Sequence, residues 1–248
     1  MSSRPSLLIG IHAVDAALSR APEQLSVLFI GEDSRNPRVR ALEQRARQLG
    51  VRIVSEARSA LDRRSDGERH QDVLAEFTPD NIHGEKELDR LLDAISGDPV
   101  ILVLDGVQDP HNLGACLRTA DAAGVSLVIY PKDGTAGLTP VARRSAAGAA
   151  EILPVIEVTN LARVLRTLKE QGIWLAGTSD QATDSLYATD LGGPLALVMG
   201  GEGSGLRRLT SELCDYLVSI PMAGLVESLN VSVATGVCLY EINRQRRI

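Results

Sequence analysis

The stretch VILVLDGVQDPHNLGACLRTADAAGVSLVIYP, residues 100–131, decides the fold class. It opens on an apolar run, Val100–Leu104, breaks at Asp105-Gly106, enters a helix that ends at Gly124, and resumes as a second apolar run, Val125–Tyr130. Strands buried on both faces lose the polar alternation of a one-sided sheet. Apolar strand, helix and apolar strand is therefore the pattern of a largely parallel sheet covered by helices. The same rhythm continues downstream, with strands expected at Ile173–Gly177, Leu195–Met199 and Leu217–Ile220 and helices starting at the caps Asn112, Thr139 and Asn160. Upstream, Leu25–Ile30, Val51–Val54 and Val73–Phe77 read as strands, and Asn36-Pro37 and Gly50 bracket a helix. Turn formers in TPDNIHG, residues 78–84, interrupt the pattern before an amphipathic stretch bearing Leu88, Leu91, Leu92 and Ile95. The expected organisation is an α/β chain with one domain over residues 1–78, a linker over 79–98 that carries one helix, and a second domain over 99–248.

Composition narrows the function classes. With 44% hydrophobic and 23% charged residues the chain reads as a water-soluble globular protein. No apolar run approaches the ~18 residues of a membrane span, and the patch Leu7–Ile9 is too short for a signal-peptide core, so a cytoplasmic protein is expected. Cys116, Cys214 and Cys238 lie far apart among aliphatic neighbours, and the four histidines form no ligand pair, so no metal is expected. The net charge of −6 argues against a nucleic-acid partner, but its distribution does not. Residues 1–78 hold 12 arginines, no lysine and 11 acidic residues, with Arg38, Arg40, Arg45 and Arg47 in one stretch and Arg63, Arg64 and Arg69 in another. Guanidinium groups suit phosphate because they donate two hydrogen bonds at once, although such a cluster also serves as a solvated helix face.

Three segments place glycines and polar residues after a strand, where open α/β sheets bind ligands. In the first, Asp105 to Arg118, Asn112 suits a helix cap, and Arg118 stands among small apolar residues. That setting implies a buried arginine with a carboxylate partner, for which Glu202 is the natural candidate, unless its head snorkels to solvent. In the second, MGGEGSGL (199–206), four glycines let backbone amides approach a ligand. Its spacing is neither that of a dinucleotide fingerprint nor that of a phosphate-binding P-loop. The third runs from IPMAG (220–224) to SLNVSVATG (228–236), with Ser228 or Asn230 available to cap a helix of small residues.

In this order the segments resemble the three motifs of the SpoU (TrmH) family of RNA ribose 2′-O-methyltransferases, and the resemblance extends over the whole chain. IHAVDAAL, SDGERHQ and LDGVQDPHNLGACLRTADAAG are similar to the branch that methylates a guanosine of 23S ribosomal RNA. The resemblance implies a SPOUT-type sheet with a C-terminal trefoil knot, preceded by a small L30e-like α/β domain that binds RNA. It implies S-adenosylmethionine as methyl donor, 23S rRNA (its peptidyl-transferase P loop) as substrate, and a homodimer built through Asn112–Gly124 and Leu229–Ile242. It assigns Asn112, Arg118, Glu202, Ser228 and Asn230 to catalysis, and Thr178, Met199, Gly200, Gly203, Ile220, Met222 and Leu229 to the donor pocket. Family mechanisms cast Arg118 as the general base. Because a guanidinium rarely gives up a proton, the preferred reading is that it binds the ribose or its phosphate and stabilises alkoxide charge, and the sequence does not decide between the two. The alternatives are a tRNA ribose methyltransferase and a non-catalytic RNA-binding protein of the same fold. A nicotinamide dehydrogenase would need the glycine fingerprint that is missing. One departure stands out: the branch usually reads His-Gln-Gly where this chain has His70-Gln71-Asp72.

Overall fold

The computed structural model describes residues 6–78, 82–203 and 205–246. The chain divides into two compact units, residues 1–81 with 147–152 and residues 82–146 with 153–248. In the first, β1 (Ser6–Ile9), α1 (Ile11–Arg20), β2 (Leu25–Gly31), α2 (Pro37–Gln48), β3 (Arg52–Glu56), α3 (Arg58–Arg64) and β4 (Val73–Phe77) follow one another. The strands form one mixed sheet in the order β1-β4-β2-β3, antiparallel on both sides of β4 and parallel between β2 and β3. Asn36 caps α2 by accepting the Arg38 N–H at 3.0 Å, Pro37 takes the first helical position, and Gly50 (φ 74°) turns the chain afterwards. Val39, Leu42 and Ala46 recur at helical spacing and join Val14, Ala17 and Leu18 of α1 in one apolar cluster. The arginines of α2 are partly neutralised at the surface, Arg45 by Asp15 at 3.3 Å and Arg47 by Glu43 at 2.6 Å.

The turn before β4 explains why glycine is usual at the third position of His-Gln-Gly. Asp72 stands at φ 64°, in the left-handed region, and Gln71 beside it at φ 53°. The loop is held all the same. Gln71 Oε1 accepts the Ile11 N–H at 3.3 Å, and the Asp72 N–H donates to His70 Nδ1 at 3.1 Å, which leaves Nε2 as the protonated nitrogen facing Asp62 at 2.9 Å. The Asp72 carboxylate also accepts from Ser34 Oγ at 3.2 Å. Left-handed backbone costs an L-residue about 1 kcal/mol, and a half-buried hydrogen bond of this kind returns about 0.5 kcal/mol. Asp72→Gly should therefore be stabilising by about 0.5 kcal/mol, and Asp72→Ala, which keeps the strain and loses the hydrogen bond, destabilising by about 0.5 kcal/mol. Urea unfolding of both variants checks the pair, and the opposite order would contradict the strain.

In the second unit, residues expected to be a linker build structure. β5 (Ile82–Gly84) pairs in parallel with β8 (Val155–Val158), and α4 (Leu88–Asp93) sinks Leu88 and Leu92 into the core, while residues 79–81 lie outside the described residues. A three-residue strand has no periodicity of its own, and its partner makes it a strand. The remaining elements are β6 (Val100–Asp105), α5 (Pro110–Ala122), β7 (Leu127–Pro131), α6 (Pro140–Ser145), α8 (Leu161–Glu170), β9 (Trp174–Thr178), β10 (Asp184–Ser185), β11 (Leu195–Gly200), α9 (Arg208–Leu213), β12 (Tyr216–Ser219) and α10 (Val231–Arg246). The short helix α7 (Ala149–Ile152) belongs to the first unit. The eight strands run parallel in the order β10-β12-β9-β11-β6-β7-β8-β5. All six residues of β6 are buried, which accounts for its unbroken apolar run. Ile101 and Val103 of β6 share a core cluster with Val164, Leu165 and Leu168 of α8. From β6 the chain proceeds one way, to β7 and β8, and then returns to build β9, β11 and β12 on the other side. The order therefore reverses between β6 and β11, and the carboxyl ends beside that reversal are where a ligand crevice forms. Among the described residues, no helix is long and apolar enough to cross a membrane.

Candidate functional site

The strand register brings the polar segments to one edge of the sheet. Asp105 at the end of β6 lies opposite Gly200 at the end of β11, and Thr178 at the end of β9 lies opposite Val218 of β12. Beyond β11 the chain turns back on itself through a bridge between Gly201 and Gly205. Two of these glycines answer to backbone packing. A Cβ on Gly200 would stand 2.2 Å from the Gly205 carbonyl carbon, and one on Gly201 2.3 Å from the Gly106 oxygen. Gly203 (φ 79°) and Gly205 (φ 63°) supply the left-handed turns. Met199 is buried beneath, and the Thr178 hydroxyl donates to the Val198 carbonyl at 3.4 Å and approaches the Met199 sulfur at 3.7 Å. Ile220 and Met222 follow β12 half-buried, whereas Leu229 is exposed. Thr178, Met199, Gly200 and Gly203 thus gather around the ends of adjacent strands. Ile220 and Met222 continue from the next strand, and Leu229 stands further along the third loop.

Asn112 has a different role from the cap expected of it. α5 starts three residues earlier than that cap would place it, with Asp109 accepting the His111 N–H at 2.8 Å and Pro110 at the first helical position. The Asn112 side chain is thereby released. Its Nδ2 donates to Glu202 at 2.5 Å, and its Oδ1 accepts from Asn230 Nδ2 at 3.0 Å. Asn230 does cap its helix, its Oδ1 accepting the Ser232 N–H at 2.9 Å and the Ser232 hydroxyl at 2.6 Å. One chain of hydrogen bonds therefore joins the three motifs. Packing of α5 against α10 brings the two asparagines together: Cys116 and Thr235 meet at 3.5 Å, and a Cβ on Gly236 would stand 3.6 Å from Thr119. Gly114 permits a similar approach to α6, since a Cβ there would stand 2.2 Å from the Ala142 oxygen.

Arg118 is neither buried nor paired with Glu202. It is exposed, and it makes no ion pair or hydrogen bond among the described residues. The reason is helical phase. Leu113, Gly114, Cys116, Leu117 and Ala120 face the interior of α5, and Arg118 falls on the opposite side despite its small neighbours. Ser228 is likewise exposed and makes no hydrogen bond among the described residues. The cysteines are inert: burial pushes the thiols of Cys214 and Cys238 up to about 12 and that of Cys116 up to about 11. Among the described residues no group of histidine, cysteine and carboxylate side chains could hold a metal ion. The sequence reading left two residues without a role, Asp105 and Arg207. Asp105 is a fully buried carboxylate at the end of β6, and Arg207, 102 residues on, pairs with it at 3.4 Å. An acid closing an otherwise apolar strand was the available signal.

A parallel α/β sheet with a glycine turn and a Glu–Asn–Asn chain at its carboxyl edge defines an α/β protein with a ligand crevice where the strand order reverses, and comparison with known proteins gives its class. Residues 99–240 match the SpoU rRNA Methylase family, and residues 7–83 match the RNA 2′-O ribose methyltransferase substrate-binding family. The chain belongs to the SpoU rRNA methylase family. It is 55% identical over 240 residues to the 23S rRNA (guanosine-2′-O-)-methyltransferase RlmB of Pasteurella multocida, covering 96% of this chain and 98% of that one. To RlmB of Haemophilus influenzae it is 53% identical, covering 96% and 97%. Among solved structures, the SpoU methyltransferase AviRb of Streptomyces viridochromogenes, in complex with AdoMet, superposes with a TM-score of 0.77 at 26% identity, over 98% of this chain and 91% of AviRb. A TrmH/SpoU tRNA modifying enzyme of A. aeolicus covers only 66% of this chain and 84% of its own, with a TM-score of 0.55 at 32% identity.

Proposed function

We propose that this protein transfers the methyl group of S-adenosylmethionine to the ribose 2′-hydroxyl of a guanosine in 23S ribosomal RNA, in the peptidyl-transferase P loop. The observation that carries the reading is the Glu202–Asn112–Asn230 chain, which ties all three motifs beside the glycine turn, in a protein whose relatives with this named activity match it almost end to end. The residues present fit the donor. The close backbone packing at Gly200 and Gly201 gives a turn without side chains, and Met199, Ile220 and Leu229 are apolar groups suited to walling an adenine. Thr178, Gly203 and Met222 complete the proposed pocket. When bound, the donor supplies an activated methyl, so the protein's own tasks are alignment and the management of one proton. We assign Arg118 to the ribose oxygen or its adjacent phosphate, where its exposed guanidinium offsets charge developing on oxygen. Asn112, Glu202, Ser228 and Asn230 orient the nucleotide.

Residues 1–78 serve, in this proposal, as an L30e-like module that holds the RNA, a role supported by the substrate-binding match over residues 7–83. Within it, Arg38 and Arg45 line a cleft of about 360 Å³ with His12 and Asp15. Residues 99–248 form the methyl-transferring domain, its C-terminal segment threaded as a trefoil knot; placement of β12, the last strand in the chain, between β9 and β10 supports this. The active form is a homodimer, and ribosomal RNA as substrate sets the reaction in the cytoplasm. For the dimer, the support is an uncovered apolar strip on the third loop and α10: Leu225 is fully exposed, Val226 63%, Val233 52% and Tyr240 54%. Sedimentation at micromolar concentration should give the mass of two chains, and a single chain would contradict the dimer.

The decisive experiment incubates the protein with labelled donor and either unmodified 23S rRNA or tRNA, in the presence of a chelator, and maps the modified nucleotide. Label on one guanosine 2′-oxygen of the 23S rRNA is expected. Label confined to tRNA, or none at all while S-adenosylhomocysteine fails to bind by calorimetry, would sink the proposal.

A further inference from the structure

We propose that Asp105 and Arg207 act as a clasp that holds the glycine turn in its donor-binding shape, so that Arg207 sets donor affinity without touching the reacting atoms. The proposal rests on the reading of Gly200–Gly203 as donor-binding. Asp105 ends β6 with a side chain wholly shielded from solvent. Its Oδ2 accepts the backbone N–H of Arg207 at 3.2 Å, and its Oδ1, with no aligned hydrogen bond among the described residues, stands 3.4 Å from the Arg207 Nε. The same guanidinium donates through Nη2 to the Asp133 carbonyl at 2.9 Å. One arginine thus ties the far end of the glycine turn to the end of β6 through its main chain, and to the loop after β7 through its side chain.

The surroundings are built for that grip. A Cβ on Gly134 would stand 2.5 Å from the Arg207 Nη2, Gly201 lies against the Gly106 carbonyl, and Ala136 donates to the Val107 carbonyl at 3.0 Å. A carboxylate held away from water needs a compensating charge, and Arg207 supplies the one ion pair that Asp105 makes among the described residues. A turn with glycine at positions 200, 201, 203 and 205 has little stiffness of its own. Beyond the Gly201–Gly205 bridge, its shape is imposed by its ends, which are the β11 ladder on one side and Arg207 on the other. Without the guanidinium the buried charge is uncompensated and the turn samples open forms. Apparent affinity then falls in proportion to the fraction that keeps the binding shape. Turnover at saturating donor is spared, because the clasp touches neither methyl nor ribose.

The test measures S-adenosylhomocysteine binding by calorimetry, donor KM and kcat on 23S rRNA, and ligand-free melting, for full-length wild type, Arg207→Ala and Arg207→Lys. Arg207→Ala should bind about tenfold or more weakly and raise donor KM in parallel, with kcat within about threefold of wild type. Arg207→Lys keeps the charge and one donor, and should fall between. Equal affinity in Arg207→Ala and wild type overturns the clasp, as does a loss confined to kcat. Should Arg207→Ala fail to fold, undiminished affinity in Arg207→Lys overturns it instead. Failure of the wild type itself to bind overturns the assignment of the donor site, and the clasp with it.

Discussion

Arg118→Ala is expected to slow methyl transfer by about 100- to 1000-fold while leaving donor affinity within about twofold and the melting temperature unchanged. That magnitude is what removal of one preorganised charge-stabilising donor typically takes from a reaction that develops charge on oxygen. The structure makes the experiment cleaner than the sequence suggested. A buried arginine paired with Glu202 would have left an uncompensated carboxylate on removal, and loss of fold would have masked loss of chemistry. Arg118 is instead exposed and unpaired among the described residues, so truncation opens no cavity and strands no charge. An effect seen in kcat with an intact donor site marks an interaction made at the reacting centre. Single-turnover methylation of the 23S rRNA with a parallel binding titration checks it. Wild-type turnover in the variant would make Arg118 an ordinary surface residue.

How far the sequence led can be judged from single residues. The buried strands of the parallel sheet were legible because burial on both faces writes an unbroken apolar run, as in β6. Caps at Asn36, Thr139 and Asn160 were legible because capping is local chemistry, and each accepts a nearby backbone N–H in the structure. Asn112 was misread because Asp109 and Asn112 are both good caps. Pro110 was the available tie-breaker, since proline favours the first helical position. Arg118 was misread because small neighbours in sequence were taken for neighbours in space, whereas helical phase turns it outward. β5 and β8 escaped notice because three- and four-residue strands are made by their partners. The ion pair of Asp105 with Arg207 spans 102 residues, and no local pattern could announce it. Motif composition thus marked the loops at the sheet edge, and the fold assigned their side chains.

The Asn112 chain yields the last expected result, because its polarity is forced. Glu202 can only accept, so Asn112 turns its amide nitrogen toward it and its oxygen toward Asn230. Asn230 must then donate with its nitrogen, which leaves its oxygen for Ser232 and the start of α10. Asn112→Asp replaces a donor by a second carboxylate at a separation of 2.5 Å in the present geometry. Two carboxylates so close do not both stay charged, and one is held protonated to higher pH than usual. Near pH 8 the variant should methylate about 100-fold more slowly than wild type, and more slowly than Asn112→Ala, which deletes both side-chain hydrogen bonds of Asn112 without adding charge. As the pH falls toward about 6, the shared proton takes the place of the lost amide hydrogen. The rate relative to wild type should therefore rise for Asn112→Asp and stay level for Asn112→Ala. The two ratios, followed across that range, separate a polarised chain from simple packing. If Asn112→Ala proves the slower variant at every pH, or if neither ratio moves, the orientation of the chain has no part in the reaction and Asn112 only fills space beside Glu202.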